Sequence, residues 1–586
     1  MRKKAFAAAA AVLALGVAAC GAPSPGGDTD TPQASTSTKP DKFAVILDKD
    51  LQGPAPEVPG AVKGGKINVI TSVVPTKFDP TQAYYIDVLA VTRLTIRGLT
   101  QLSIQEDGQY HLMPDLATNL GEVSDDKLTW TFHLKEGMKY EDGSTIKAQD
   151  FAYAISRSFA QAELPGGPLY QLSYFKDGET YKGPYKDKTP YTGVETPDDN
   201  TLVIKLAKPF GDLPYYLTFP AMAPIPEAKD TRSNYGLHPI ASGPYKFDKY
   251  QLGKSLTLVK NDQWDPASDP ARHQYPDEID FNFGLDPLTV QKRMVADQGQ
   301  DKQSITYDDI DASLMPDIRG KEPEERLVTG GGTCTYMDFF DLRKWEDKKI
   351  REAYYKAYPF DLVHKAAQRT TLSYQPATTI DAPVTPGWVN YDVSGTGGKG
   401  QGDPAAAKKL LTEADAVGFE VKTIVRNDNP ISANAAAVVK KAMEDAGFKY
   451  TIQSVSPEKQ RDIIDDPKAD INIRSSGWCL DWPSGGTVFP AILDGRLIAQ
   501  TPTAAPNKSF LNEEKVNTEI DRISALPADQ QPAEWSALDK TIMTDYLPAM
   551  PTYYTKSAYL HGSEIGGAIM DIYAGGPDFT KLFVKQ

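Results

Sequence analysis

The 586-residue sequence has few cysteines and histidines, three and six respectively, and no apolar run long enough to span a membrane. The scarcity of cysteine excludes a small disulfide-stabilised scaffold, and the lack of long apolar runs excludes a protein with several membrane spans. Basic residues do not cluster after residue 4 and are outnumbered 63 to 78 by acidic residues, so nucleic acid is not an expected partner. The length is sufficient for about three to four domain-sized units.

Motifs of common catalytic sites are also absent. There is no Gly-x-Ser-x-Gly, no His-Glu-x-x-His and no P-loop, and the six histidines show no metal-ligand spacing. We therefore predict a protein that is not an enzyme, with no metal site and no cofactor.

The first nineteen residues have the pattern of a signal peptide. Arg2, Lys3 and Lys4 precede an apolar stretch at 5–19 that is too short to cross a bilayer. The stretch ends in Val-Ala-Ala followed by Cys20 and glycine, which resembles the lipobox of bacterial lipoproteins. That resemblance implies a lipidated, palmitate-bearing Cys20 and a membrane anchor, whereas the alternative is an ordinary cleavage site followed by a chance cysteine.

A flexible linker is predicted at 20–60. Residues 21–40 contain no Leu, Ile, Val, Phe, Tyr or Trp, and such a stretch cannot bury enough apolar surface to offset its ordering entropy. Residues 43–47 are apolar enough to dock on the body, and ordinary patterning begins near residue 64. We predict a globular body at 61–586. Without Arg2, Lys3 and Lys4, the net charge changes from −15 to −18.

Strand and helix patterns alternate in the body, which indicates an α/β fold. Apolar residues recur at every second position of 128–135, as in a half-buried strand. Later in the chain, Asp403 is placed to cap a helix that begins at Pro404. Further elements are predicted as strands at 421–425, 450–455 and 470–473 and helices at 432–446 and 457–464. This order predicts a doubly wound unit with a largely parallel sheet, and ligands bind such sheets beyond the carboxyl ends of the strands.

The segment that follows the last of these strands is the predicted binding site. It contains Gly477, Trp478, Cys479, Asp481 and Trp482, which combine a close backbone approach, aromatic surface and one carboxylate. The alternative is structural, with both tryptophans in a core and Asp481 capping a turn.

Residues 111–117, 123–137, 142–144 and 148–151 resemble the signature of the family 5 extracellular solute-binding proteins of ABC importers. Members of this family bind oligopeptides, dipeptides or nickel. The resemblance extends over about 61–586 and implies a two-lobed, class II clamp with three subdomains, mixed sheets and hinge strands. It places the first lobe at 61–332 and 550–586, with a subdomain at about 96–231, and the second lobe at 333–549. One hinge crossing is expected at 330–332 and the return at 546–554.

The oligopeptide-binding branch of the family matches best, at residues 334–336 and 477–481. Carried over residue by residue, this match implies a disulfide between Cys334 and Cys479 and binding of the peptide's amino terminus by Asp481. An exported chain with one lipidated cysteine would rarely leave the other two as free thiols, which supports the pairing.

Further ligand contacts are expected around Asp481. Its neighbours Ser476, Gly477, Trp478, Cys479 and Trp482 belong to the same segment. Tyr84, Tyr85 and Tyr170 are candidate contacts from the first lobe, with ordinary packing as the alternative. Arg474 could meet the ligand's carboxylate, although the family's cationic position falls on Ser475. Asp338 could meet a ligand cation, with a surface carboxylate as the alternative.

The sequence therefore predicts a monomeric, lipid-anchored protein on the extracytoplasmic face of the cell membrane. It would capture oligopeptides between its lobes and deliver them to the ABC permease subunits. Two alternatives remain open at this point. The same fold could bind nickel or a metal chelate, or it could serve as a surface chaperone or adhesin without transport.

Overall fold

The computed structural model describes residues 43–75, 77–500 and 505–586. The predicted signal peptide, Cys20 and the first part of the predicted linker lie outside these residues. Within the described ranges, no helix has both the length and the apolar character needed to cross a bilayer.

Strands occur along the whole described chain. The first twelve are β1 (Val45–Leu47), β2 (Lys66–Ile70), β3 (Thr100–Ile104), β4 (Tyr110–Pro114), β5 (Glu122–Val123), β6 (Thr129–His133), β7 (Val194–Asp198), β8 (Thr201–Lys205), β9 (Tyr245–Gln251), β10 (Ser255–Lys260), β11 (Glu278–Asn282) and β12 (Ser304–Ile305). The later strands are β13 (Leu327–Phe340), β14 (Tyr374–Pro376), β15 (Glu420–Arg426), β16 (Lys449–Val455), β17 (Ile473–Cys479), β18 (Ala549–Leu560), β19 (Ile565–Gly566), β20 (Met570–Asp571), β21 (Gly576–Pro577) and β22 (Phe583–Val584).

Helices alternate with these strands. They are α1 (Ile86–Thr95), α2 (Ala148–Arg157), α3 (Tyr170–Tyr174), α4 (Leu213–Tyr216), α5 (Pro287–Ala296), α6 (Met315–Ile318), α7 (Lys348–Ala357), α8 (Phe360–Ala366), α9 (Pro404–Glu413), α10 (Pro430–Asp445), α11 (Pro457–Asp465), α12 (Phe489–Ile492), α13 (Leu497–Gln500), α14 (Glu514–Ser524) and α15 (Pro532–Asp545).

Parallel and antiparallel pairings coexist in the described sheets. A five-stranded sheet has the order β12-β2-β11-β10-β9, with β2 parallel to both neighbours. Two four-stranded sheets have the orders β5-β6-β8-β7 and β14-β18-β13-β17. Strands β1, β4 and β3 form a further sheet, and β15 pairs in parallel with β16. The mixed α/β architecture expected from the sequence is therefore present.

Local sequence signals account for several of these elements. In β6 the side chains of Trp130 and Phe132 are buried, while His133 is exposed, as the alternation predicts. The Asp403 side chain accepts a hydrogen bond from the Ala406 backbone N–H and so caps α9. Because these signals act within a few residues, the predicted elements agree with the observed ones to within about two residues, except for the strand predicted at 470–473.

The prediction for residues 470–482 was wrong in one respect. The last strand, β17, begins at Ile473 and includes most of the predicted loop, and it pairs antiparallel with β13 instead of joining β15 and β16. Asn472 explains the change of sheet. Its backbone N–H donates to the Lys422 carbonyl, but its side-chain oxygen accepts the next donor, the Lys422 N–H, so the backbone ladder with β15 ends there.

The predicted linker at 20–60 is also too long. Strand β1 pairs in parallel with β4, and the Asp48 N–H donates to the Leu112 carbonyl. The Phe43 ring lies 5.6 Å from the Tyr110 ring and 5.8 Å from the Tyr573 ring, measured between centroids. The chain is therefore attached to the body from Phe43 onward, because this short apolar segment buries part of its side chains there.

Strands β13 and β18 are the longest described strands, with 14 and 12 residues, and they pair antiparallel. The predicted crossing at 330–332 lies in β13, and the predicted return at 546–554 overlaps the first half of β18. The pairing is interrupted between Gly331 and Thr335. A Cβ atom on Gly332 would lie 2.0 Å from the Thr555 hydroxyl oxygen, so the strands approach more closely here than any side chain at 332 allows.

Candidate functional site

Strand β17 is an edge strand, paired with β13 on one side and with no strand of the described residues on the other. The Leu480 N–H donates to the Thr333 carbonyl, and the Asp341 N–H donates to the Asn472 carbonyl. Because hydrogen-bonded pairs alternate along an antiparallel ladder, the even-numbered residues of β17 bond to β13. The N–H and C=O groups of Ser475, Gly477 and Cys479 therefore point to the free edge.

Cys334 and Cys479 lie directly opposite each other in this ladder and form a disulfide bond. The pairing that the sequence resemblance implies is thus present. The bond joins the edge strand to β13 at Cys479, the last residue of β17.

Asp481 follows β17 by two residues and accepts hydrogen bonds from two tyrosines. The Tyr84 hydroxyl group donates to both carboxylate oxygens, at 2.7 and 2.8 Å, and the Tyr170 hydroxyl group donates to Oδ2 at 2.5 Å. Tyr84 lies just before α1, and Tyr170 is the first residue of α3. Three residues proposed separately from the sequence therefore form one cluster.

The electrostatics of this cluster favour a cationic ligand group. Burial raises the pKa of Asp481 to about 6, although the hydrogen bonds from Tyr170 and Tyr84 act in the opposite direction. Burial and the nearby carboxylate raise the pKa of both tyrosines, so they remain neutral donors. In the part of the chain that the structure describes, no basic side chain forms an ion pair with Asp481. At neutral pH the site therefore holds an anion without a counter-charge.

The two tryptophans have different roles. Trp482 is buried, its ring centroid lies 4.5 Å from that of Tyr170, and its Nε1–H donates to Oδ2 of Asp212 at 2.8 Å. Trp478 is half-buried and donates from Nε1 to the Thr487 carbonyl at 2.7 Å. Trp482 thus supports Tyr170 from the core, and Asp212 is a supporting residue that the sequence did not indicate.

A cavity lies against Asp481 and Trp482. Its other walls are formed by residues of α1 and β3, by the segment 218–223 and by the C-terminal segment at Tyr573 and Ala574. The wall is a mixture of polar and apolar groups, and its two guanidinium groups are paired, Arg93 with Asp571 and Arg272 with Asp269. Tyr573 is a second residue that the sequence did not indicate.

Three further predicted residues lie in the same two segments as Asp481 and Tyr84. Gly477 is opposite Tyr336, and a Cβ atom at position 477 would lie 3.0 Å from the Tyr336 ring, so glycine lets that ring lie across the strand. Tyr85 is 61% exposed, and its ring is 6.0 Å from that of Tyr84. Ser476 belongs to β17 but, as an even-numbered residue, bonds to β13.

Arg474 and Asp338 are not part of the cluster. Arg474 is fully buried, and its Nη1 donates to the carbonyls of Ile463 and Ile464 in the last turn of α11. Asp338 is buried rather than on the surface, and it accepts hydrogen bonds from the hydroxyl groups of Ser475 and Tyr354. Burial raises its pKa. Both residues serve the interior of the fold in this structure.

Comparison with known proteins identifies the family. The model of the bacterial extracellular solute-binding proteins, family 5, matches residues 111–497, about two thirds of the chain. The chain belongs to this family.

Individual relatives agree with this assignment, and solved structures share the fold. A probable peptide ABC transporter periplasmic-binding protein of Sinorhizobium fredii is 26% identical over 61% of this chain and 66% of its own length. The periplasmic oligopeptide-binding protein OppA of Salmonella typhimurium is 24% identical over 84% and 87%. The solved clavulanic acid biosynthesis oligopeptide binding protein 2 is 24% identical, with a TM-score of 0.82 over 93% of this chain and all of that one.

The structure of DppA from Helicobacter pylori, in complex with the peptide STSA, has a TM-score of 0.66 at 16% identity, over 90% of this chain and 99% of that one. These similarities confirm the two-lobed α/β fold expected from the sequence.

Proposed function

We propose that the protein is the substrate-binding component of an ABC importer and captures oligopeptides between its two lobes. The observation that carries the proposal is Asp481, a partly buried carboxylate without a cationic partner, placed two residues beyond a free strand edge. An extended peptide would pair its backbone with Ser475, Gly477 and Cys479, and its terminal ammonium would complete the site at Asp481.

This arrangement would bind groups that are common to most peptides. Backbone N–H and C=O groups recur in every peptide, and a free amino terminus is present in most, so side chains need not be recognised. The names of the relatives support this reading, because those of the Sinorhizobium fredii and Salmonella typhimurium proteins refer to peptides and oligopeptides.

The lobes would be 61–332 with 550–586 and 333–549, joined through β13 and β18. Ligand binding would close them, and the closed form would dock on the membrane permease. The Tyr84 and Tyr170 hydroxyl groups belong to the first lobe in this division and Asp481 to the second, so their hydrogen bonds form on closure.

An anchor at Cys20 would hold a monomeric clamp on the extracytoplasmic face of the membrane. The sequence 17–21 supports lipidation of Cys20 after removal of residues 1–19. Cys20→Ser should move the protein from the membrane fraction to the medium or soluble fraction, and retention of the variant in the membrane would contradict the anchor.

Two measurements test peptide capture. Ligand released from protein purified from its native host and identified by mass spectrometry should consist of peptides. In calorimetry, a peptide with a free amino terminus should bind, and the same peptide with an acetylated amino terminus should bind at least about tenfold more weakly. Equal affinities would exclude Asp481 as the ammonium site, and a non-peptide native ligand would exclude the function.

A further inference from the structure

A second contact between the proposed lobes lies away from Asp481, where the segment before α4 meets the segment after α14. The Gly211 N–H donates to the Ser524 carbonyl at 3.0 Å, and the Lys127 ammonium donates to the Ala525 carbonyl at 3.0 Å. Gly211 and Lys127 belong to the proposed first lobe, and residues 524–526 belong to the second.

Gly211 leaves no room for a side chain in this contact. A Cβ atom at this position would lie 1.9 Å from the Leu526 carbonyl oxygen and 2.7 Å from the Gln531 side-chain nitrogen. The Gly211 backbone is outside the left-handed region, so alanine could adopt its conformation. The close approach, and not the backbone conformation, therefore requires glycine here.

Asp212 continues the contact toward the ligand site. Its Oδ2 accepts the hydrogen bond from Trp482, the residue next to Asp481. A Cβ atom on Gly486 would lie 2.5 Å from the same Oδ2, so a second glycine of the second lobe admits this carboxylate. The hydrogen bond from Trp482 therefore ties this carboxylate to the proposed second lobe.

From this geometry we propose that Gly211 and Asp212 form a closing contact of the clamp, required for the second lobe to bring Trp482 and Asp481 to the ligand. The inference rests on the proposed function. In the open form the residues around 211 and 526 would separate, and the methyl group of an alanine at 211 would cause no steric clash. In the closed form the added methyl group would collide with the Leu526 carbonyl, so alanine would hold the clamp open.

The test compares Gly211→Ala with wild type in the full-length chain. With tetraalanine as the probe, the wild-type radius of gyration should fall on binding and that of Gly211→Ala should not. Affinity of the variant should be at least about tenfold weaker, because the closed, binding-competent population is reduced. The melting temperature of the ligand-free variant should match wild type, because the open form is unaffected.

Two glycine variants serve as controls. A Cβ atom at Gly562 would lie 2.2 Å from the Lys302 carbonyl, a contact within the proposed first lobe, so Gly562→Ala should lower the melting temperature. Gly576→Ala meets only ordinary contacts at 3.8 Å and should change neither stability nor closure. The proposal is overturned if the melting temperature of Gly211→Ala is lowered as that of Gly562→Ala is. It is also overturned if Gly211→Ala closes on tetraalanine and binds it with wild-type affinity.

Hydrogen exchange separates this proposal from the proposed function. Residues 482–486 and 524–531 of the ligand-free protein should exchange faster in Gly211→Ala than in wild type, because transient closure protects them only in wild type. Should wild type bind no peptide, the proposed function fails and this comparison alone decides the closing contact. Identical exchange in the two proteins would refute it.

Discussion

Tyr84 and Asp481 are 397 positions apart in the chain, and a hydrogen bond of 2.7 Å joins the Tyr84 hydroxyl group to Oδ1 of the carboxylate. With Tyr170, this bond gives the carboxylate two fixed donors in place of water. Neutral donors stabilise the anion without cancelling its charge, so Asp481 remains attractive to an ammonium group.

Replacement of Asp481 by alanine should abolish most peptide affinity. Loss of a partly buried carboxylate that pairs with an ammonium group costs about 2–4 kcal/mol of binding free energy, or roughly 30- to 900-fold in Kd. The melting temperature should change little, because the buried charge is removed together with its hydrogen bonds. Calorimetry and thermal unfolding check both statements, and Asp381→Asn, a buried carboxylate outside the site, is the control for affinity alone. Retained affinity in Asp481→Ala would refute the assignment.

Peptide affinity should decrease in acid. The pKa of Asp481 is raised to about 6, and an ammonium group pairs with the ionised carboxylate only. Affinity should therefore be constant above pH 7 and about tenfold weaker at pH 5. Titrations at several pH values check this, and the dependence should be absent from Asp481→Asn. An unchanged pH profile in that variant would assign the effect to another group.

Asp381→Asn should stabilise the protein at alkaline pH. Burial, with the neighbouring Asp539 carboxylate, raises the pKa of Asp381 from 3.8 to about 7. The native protein therefore binds this proton more tightly than the unfolded chain, and its stability falls as pH rises from about 4 to 7. Asparagine should remove that loss and raise the free energy of unfolding by about 1–3 kcal/mol at pH 8.

Denaturant unfolding at pH 8 and pH 5 tests this prediction, with the gain expected to be smaller at pH 5. Asp142→Asn provides a control of opposite sign. The hydroxyl group of Ser144 and the Lys229 ammonium lower the pKa of Asp142 to about 2, so that variant should be less stable than wild type at pH 8. A gain for Asp381→Asn that does not depend on pH would exclude the titration as its cause.

Reduction of the Cys334–Cys479 disulfide should destabilise the protein and loosen the site. The bond closes a loop with a sequence separation of 145, and in the chain-entropy model such a loop contributes up to about 4–5 kcal/mol. The double variant Cys334→Ser, Cys479→Ser should show the same loss in calorimetric unfolding, together with weaker peptide binding. Addition of reductant to the double variant should have no further effect, and alkylation of native wild type should label neither cysteine.

The sequence predicted elements whose signals are local. The alternation around Trp130 and Phe132 and the cap at Asp403 each depend on neighbours within a few positions, and both are present. Tyr84, Tyr170 and Asp481 were also proposed, but as separate candidates. Their hydrogen bonds span 311 to 397 positions, a relation that no local pattern encodes.

Other features depend on distant contacts and were missed. Strand β17 was taken for a loop because its partner, β13, lies more than 130 positions earlier, and side-chain periodicity does not identify partners. Asp212 has no local signal either, since its role depends on Trp482, 270 positions away. Arg474 was a candidate ligand contact because the sequence shows its charge. The α11 carbonyls that accept its hydrogen bonds cannot be identified from the sequence.

An edge strand that is open to peptides is equally open to strands of other polypeptides. Unpaired N–H and C=O groups on β17 are a template for intermolecular β-pairing, which is a route to aggregation that folded proteins generally block with charges or bulges. Here the open length is short, because only the odd-numbered residues of this seven-residue strand direct these groups outward. A bound peptide would cover all of them. The ligand-free form should therefore be more prone to self-association than the peptide-bound form, in which the ligand would cover the strand edge.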